Sequence, residues 1–422
     1  MTASVMADLK LRGLVADQTH PDLDALLASR SMAVYAGFDP TADSLHVGNL
    51  SIIMLLRRFQ RFGHKPVALV GGGTGMIGDP SGKEHERQLQ TRAEVERKSQ
   101  GLRAVLSRFL EFGNGPSDAM LLDNYDWLGS LNLIEFLRDI GKHFRVQDMV
   151  ARESVKRRLE KQEGISFTEF TYQLLQSYDF WHLFKHHRCE MQVGGSDQWG
   201  NITAGTDLIR ELEGKTAYGI TGHLVTRADG SKFGKSDDGK SVVWLTAEKT
   251  SPFEYYQFWL RSDDRDVMRY MKIFTDVDGA EWPELERTLR DEPEKRVAHH
   301  RLAYEATAMA HGPEEAGRAR EAASAAYSGN RSAAAFDGAP TTTVDRVRVE
   351  AGLTAAEAFE LCGLVPSRGE ARRKAQAGAL RINETRVEDA MAKLTVGDFD
   401  EHGRCVLQFG KQKLHILRID PA

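Results

Sequence analysis

The sequence predicts a mixed α/β chain: a mostly parallel sheet flanked by helices, then an α-helical segment, then a small α+β tail. Three observations carry this. Short apolar runs alternate with amphipathic ones from residue 31 onward; each apolar run ends in a cluster of glycine, acid or amide; and past residue 250 long Arg/Glu/Ala-rich helical stretches replace the alternation. At 422 residues the chain is too long for one ordinary domain, so two or three are expected.

The first strand is Met32–Ala36, followed by the turn-rich run GFDPTADSLHVGNL and an amphipathic helix through Arg61. KPVALV is the second strand, running into GGGTGMIGD, and a charged helix is expected from about Thr91 to Phe112. AMLLDN and EMQVGGSDQWGN repeat the strand-then-loop theme. In such sheets ligands sit at the carboxyl ends of the strands. These patterns place a sheet domain over 1–246, a helical domain over 247–328, a Gly/Ser/Pro/Thr-rich linker over 329–350 and a small α+β domain over 351–422.

A net charge of -5, with 41% hydrophobic and 28% charged residues, excludes a protein that coats nucleic acid by bulk charge but leaves room for a local basic patch. The three cysteines, Cys189, Cys362 and Cys405, are too scattered for a disulfide framework or a zinc site, so no protein-bound metal is expected. No stretch approaches a membrane span and the N-terminus lacks a basic-then-apolar leader, so the expected setting is cytoplasmic, away from membranes.

Four segments carry candidate chemistry. In DPTADSLHVGNL, Ser44 suits a helix N-cap, and His46, Gly48 and Asn49 fall in the first turns, where free N–H groups attract an anion. Alone, the segment reads equally as a capped helix with a surface histidine. In SKFGKS, Lys232 and Lys235 form a pair of point charges suited to polyphosphate oxygens; a solvated loop is the other reading. GGGTGMIGDPSGK matches neither a Walker loop nor a dinucleotide fingerprint. It reads as a glycine floor that admits a ligand, with Asp79 as counter-charge to an amine and Lys83 and Arg87 following, or as a plain strand-to-loop junction.

The fourth comprises TYQLLQSYD and VGGSDQWGN. Tyr172, Gln176 and Asp179 share one face of an apolar helix and need partners, from a ligand or from an internal network. Asp197 and Gln198 stand after a strand, where an acid can accept from ribose hydroxyls.

A strand, then HVGN opening a helix, then KFGKS far downstream resembles the paired signatures of class I aminoacyl-tRNA synthetases. With Tyr35 on the first strand, the TYQLLQSYD helix and the GGSDQWGN loop, nearly the whole chain resembles a bacterial-type tyrosyl-tRNA synthetase. The resemblance implies a Rossmann-like catalytic domain, ATP with Mg²⁺, L-tyrosine and tRNA(Tyr) as partners, and a homodimer. Tyr35 and Asp179 would hold the substrate phenol, and Asp79, Tyr172 and Gln176 its ammonium group. Gln198 would lie near the carboxylate; Gly37, Asp39, Gly48, Gly195 and Asp197 would line the ATP site. His46, Asn49 and Thr41 would contact phosphates, and Lys83, Arg87, Lys232 and Lys235 the departing pyrophosphate.

Three departures accompany the likeness: Asn49 stands for the second histidine of HIGH, KFGKS for KMSKS, and Ala36 follows Tyr35 where many relatives carry a cysteine near the ribose. The tail segment VPSRGEARRKAQAGALRINE resembles a small RNA-binding fold, with Arg368, Arg372, Arg373 and Lys374 placed to meet phosphates. Two rivals remain, a tryptophan-specific relative and a non-catalytic RNA-binding protein on the same scaffold.

Overall fold

In the computed structural model, residues 4–81, 89–161, 164–231, 233–234, 242–328, 339–383, 385–410 and 413–420 are described. They form two compact units, Met1–Lys249 with Arg261–Ala310, and Thr250–Leu260 with His311–Ala422.

The first unit is built on a six-stranded sheet of β1 (Asp17–Gln18), β2 (Ala33–Phe38), β3 (Lys65–Val70), β4 (Met120–Asp123), β5 (Cys189–Gly195) and β6 (Tyr218–Gly222). Their order is β1-β6-β5-β2-β3-β4; β1 runs antiparallel to β6 and the other pairs are parallel. Strands covered on both faces explain the near-continuous apolar runs of β2 and β3. The chain leaves β2 toward β5 on one side and β3 on the other, so the strand order reverses at β2 and opens a crevice at its carboxyl end.

Local signals set the helices around this sheet. Arg92–Leu106 begins where Thr91 and Glu94 cap each other, as the charged run suggested. The helix Phe167–His187 starts at Ser166, whose side chain accepts from the Glu169 amide. Val47–Arg61, which follows β2, is held by buried ions that the sequence did not announce. Asp8 pairs with Arg12 at 3.0 Å and Arg58 at 3.5 Å, and Asp276 pairs with Arg58 at 3.2 Å. Arg57 and Arg61 also reach Asp276, each at 2.6 Å. Deleting one member would strand a buried charge, so this cluster fixes the helix in place.

The helices Asp264–Phe274 and Trp282–Asp291 belong to the sheet unit, whereas Pro252–Leu260 and Pro313–Ser328 group with the tail. In the second unit, β7 (Thr341–Val344), β8 (Leu380–Ile382), β9 (Thr385–Arg386), β10 (Arg404–Phe409) and β11 (Lys413–Ile419) form a sheet ordered β7-β11-β10-β8-β9. Residues 341–350 therefore correct the linker reading. Thr341–Val344 pairs in parallel with β11, and Arg346–Glu350 is a helix capped by Asp345. A single edge strand of threonines has too little apolar periodicity to be recognised before its partner is known.

Candidate active site

The start of the helix Val47–Arg61 differs from the expected cap. His46, not Ser44, is the N-cap: its Nδ1 accepts from the Gly48 amide at 3.0 Å, while Asn49 Oδ1 accepts from the His46 amide at 3.2 Å. Ser44 instead donates to the Leu45 carbonyl and accepts from Thr246. This reciprocal box gives Asn49 a structural task that its side-chain oxygen performs, and leaves its amide donor and the histidine's Nε2 outside the cap.

The second signature is stitched to the first. The Val47 amide donates to the Val243 carbonyl and the Leu245 amide to the Leu45 carbonyl, so residues downstream of KFGKS in the sequence pair with the residues that open the helix. The Val243 amide donates in turn to the Gly234 carbonyl at 3.0 Å. Gly234 has φ +90°, which favours glycine, and a Cβ there would press on the helix start at 3.3 Å from the Gly48 nitrogen. Phe233 stacks on Phe274 at 5.0 Å and packs against Tyr270. Lys83, Arg87, Lys232 and Lys235 lie outside the described residues.

On the other side of the crevice, one hydrogen-bonded chain joins three of the expected groups. The Tyr172 hydroxyl donates to Asp39 Oδ2 at 3.0 Å and the Thr74 hydroxyl to Asp39 Oδ1 at 2.9 Å. Asn124 Nδ2 donates to Thr74 Oγ1 at 2.9 Å and to Asp179 Oδ2 at 2.8 Å; Trp127 Nε1 donates to Asp179 Oδ1 at 2.7 Å. Asp39, expected on the ATP side, thus also belongs to the network around Tyr172. Burial pushes the Asp179 carboxyl up to about 8, against the pull of its two donors.

Tyr35 is 1% exposed, packs on Phe180 at 5.2 Å, and its hydroxyl has no hydrogen-bond partner among the described residues. Burial first, and the neighbouring Asp179 charge second, raise its pKa well above the ordinary phenol value, so it is a neutral donor. Gln192, its cross-strand neighbour on β5, is also buried with an unpartnered Oε1.

A second cluster holds the remaining polar groups. Gln198 Nε2 donates to Asp79 Oδ2 at 2.7 Å, Gln176 Nε2 to Gln198 Oε1 at 3.1 Å, and Asn201 Nδ2 to Gln176 Oε1 at 2.9 Å. The Ser81 amide donates to Asp79 Oδ1 at 2.9 Å. Tyr172, Gln176 and Asp179 do point into polar surroundings together, but each already has protein partners. Thr41, Gly37, Gly48 and Asp197 are exposed, while Gly195 is buried at the end of β5.

The glycine floor is corrected in one respect: the groups that close on it are the protein's own. The Gly72 amide donates to Asp123 Oδ1 at 3.1 Å and the Gly73 amide to Asn124 Oδ1 at 2.7 Å. A Cβ on Gly71 would lie 2.1 Å from Asp39 Oδ1, and one on Gly72 2.0 Å from Asp123 Oδ1. Asn124, Trp127, Thr74, Asn201 and Gln192 were missed by sequence reading. The available signal was the strand-end rule, since Asp123 ends β4 and Asn124 follows it, as Asp39 follows β2.

In the tail, Arg368, Arg372, Arg373 and Lys374 lie on the helix Arg368–Gln376, capped by Ser367. Glutamates temper their charge: Arg368 pairs with Glu357 and Glu360, and Arg373 and Lys374 both pair with Glu370.

A mostly parallel sheet whose reversal point is followed by HVGN, with Gly234 and residues 243 and 245 paired against that helix start, agrees with the resemblance to class I tRNA synthetases, and a family model described as tRNA synthetases class I (W and Y) matches residues 27–328. The chain is 47% identical to the tyrosine–tRNA ligase of Geobacillus kaustophilus over 98% of its length and 99% of that protein. It is 44% identical to the tyrosine–tRNA ligase of Roseiflexus castenholzii over 99% of each. A C-terminally truncated mitochondrial tyrosyl-tRNA synthetase from Aspergillus nidulans superposes with a TM-score of 0.67 at 31% identity, covering 75% of this chain and 92% of that one. The chain belongs to the tyrosine–tRNA ligase family of class I tRNA synthetases.

Proposed function

We infer that the chain activates L-tyrosine with ATP and transfers it to the 3′ end of tRNA(Tyr). The observation that carries the substrate choice is the Tyr35 hydroxyl, a buried neutral donor without a partner among the described residues, beside the Asp179 carboxyl. A phenol hydroxyl supplies the missing acceptor, and a site built this way loses that hydrogen bond with phenylalanine, as tyrosine enzymes themselves illustrate.

In the activation step the substrate carboxylate attacks the α-phosphate of ATP and pyrophosphate leaves; the tyrosyl group then passes to the terminal ribose. No covalent enzyme intermediate is required, because positioning and stabilisation of phosphate charge supply the rate. The ammonium group exchanges with Gln198 as donor to Asp79, aided by Tyr172 and Gln176, and Gln198 turns to the carboxylate. Asp39, Gly37, Gly48, Gly195 and Asp197 line the nucleotide, His46, Asn49 and Thr41 meet its phosphates, and Lys83, Arg87, Lys232 and Lys235 receive pyrophosphate. Mg²⁺ would come with ATP and offset its phosphate charge, without a dedicated protein cage to hold it.

On this reading residues 1–246 hold the catalytic domain, 247–328 the anticodon-side helices, and the tail, including the strand Thr341–Val344 that pairs into its sheet, an RNA-binding module in which Arg368, Arg372, Arg373 and Lys374 meet tRNA phosphates. A homodimer is supported by a concentration of exposed apolar side chains in one stretch of the chain: seven of the thirteen exposed large hydrophobic residues among the described residues fall between 133 and 167, from Leu133 to Phe167 at 76% exposure. No described helix is long and apolar enough to cross a membrane, and the setting proposed is the cytoplasm.

Amino-acid-dependent ATP–pyrophosphate exchange across all amino acids tests the assignment. Exchange with tyrosine is expected. Exchange with tryptophan instead would overturn the specificity, and exchange with none would leave the RNA-binding reading.

A further inference from the structure

The carboxyl end of the helix Phe167–His187 reads Trp181-His182-Leu183-Phe184-Lys185-His186-His187, and nothing in the activation chemistry uses its histidines. His182 and His186 stand one turn apart with ring centroids 4.4 Å from each other and planes tilted by 38°. His182 is half-buried and stacked on the Trp127 indole, at 4.2 Å and 15°; His186 is exposed. No described hydrogen bond claims a nitrogen of either ring. Burial, with smaller contributions from His186 and His187, pushes His182 down to about 4, so its imidazole is an unprotonated donor at neutral pH.

Imidazoles at i and i+4 on one helix face are a metal-chelating pattern. With a metal–nitrogen bond of about 2.1 Å the ring centre lies about 3.2 Å from the ion, so two rings bound side by side stand about 4.5 to 5.2 Å apart, between square and tetrahedral angles. The observed 4.4 Å needs little adjustment.

We propose that His182 and His186 form a binding site for a late divalent transition-metal ion such as Zn²⁺, Ni²⁺ or Cu²⁺, and that its occupancy is felt at Asp179 through Trp127. Among the described residues no group of three or more His, Cys, Asp or Glu converges on an ion, so water fills the other positions and the site is exchangeable. The His187 ring, 6.1 Å from His182, stays outside the pair. Coupling follows from the indole's two contacts: its face lies on His182, and its Nε1 donates to Asp179 at 2.7 Å. An ion that fixes the imidazole also fixes the indole against it. The coupling half rests on the assignment of Asp179 to tyrosine; the binding half does not.

The test is calorimetric titration of chelator-stripped full-length protein with ZnCl₂, and of L-tyrosine without ATP, with and without Zn²⁺. One Zn²⁺ per chain is expected, weakened at least tenfold in His186→Ala and in His182→Gln but unchanged in His402→Ala. The tyrosine Kd is expected to shift at least threefold with Zn²⁺ in the unaltered chain and not in His186→Ala, with the reciprocal shift in Zn²⁺ affinity. Identical Zn²⁺ titrations of the unaltered chain and His186→Ala would overturn the site, and intact Zn²⁺ binding with an unmoved tyrosine Kd would overturn the coupling. A metal-free chain that binds no tyrosine would count against the proposed function instead.

Discussion

Replacing Tyr35 by Phe separates what the hydroxyl does for the fold from what it does for the substrate. In the resting protein that hydroxyl is 1% exposed and unpartnered among the described residues, a state that costs about 1–3 kcal/mol for a buried polar group. The ring's packing against Phe180, Val67 and Leu69 survives the substitution, since only one oxygen is removed. Tyr35→Phe should therefore unfold at the same temperature or higher.

With tyrosine bound the sign reverses. The hydroxyl then donates to the substrate, and a neutral hydrogen bond contributes about 0.5–1.5 kcal/mol net, so kcat/KM for tyrosine should fall about 2- to 13-fold. Phenylalanine gains nothing from the hydroxyl, so its exchange rate should hold and the tyrosine/phenylalanine ratio should narrow by the same factor. Pyrophosphate exchange with both amino acids, alongside thermal unfolding, gives all the numbers. A variant that melts several degrees lower while its tyrosine kinetics stay unchanged would show that the hydroxyl is partnered within the fold, and the argument for a phenol pocket would fail.

Trp127→Phe removes one of the two donors to Asp179, and tyrosine KM should rise about tenfold, the equivalent of about 1.4 kcal/mol, with a smaller change in kcat; an unaltered KM would detach Trp127 from the site. His64 accepts from the Met32 amide and burial lowers it to about 4. Its contribution is present above about pH 6.5 and is lost as pH falls toward 4, because the unfolded chain takes up the proton first; about 3 kcal/mol should disappear over that range, and His64→Gln should flatten the profile measured by denaturant titration. In the tail, Arg372→Ala with Lys374→Ala should weaken tRNA binding and reduce the slope of log K against log salt by about 0.9 for each phosphate no longer neutralised, while tyrosine-dependent exchange is unaffected.

The parallel sheet was legible because strands covered on both faces must be apolar throughout, and β2 and β3 are. What stayed hidden is what depends on a partner distant in sequence. Ser44 was the better cap by residue type, yet Thr246 occupies it, and the helix begins two residues later at His46, whose backbone is extended at φ -119°. The glycines at 71–73 announced a close approach but not the approaching group, since Asp39, Asp123 and Asn124 arrive from the ends of two other strands. The pairing of HVGN with KFGKS, made in the sequence by resemblance, has a physical basis that spacing does not contain: residues 45 and 47 bond to 245 and 243, and Gly234 packs on Gly48. A larger residue at 234 would have to leave φ +90° and push against the helix start, so two glycines that look like mere flexibility in the sequence meet as a contact between the two signatures.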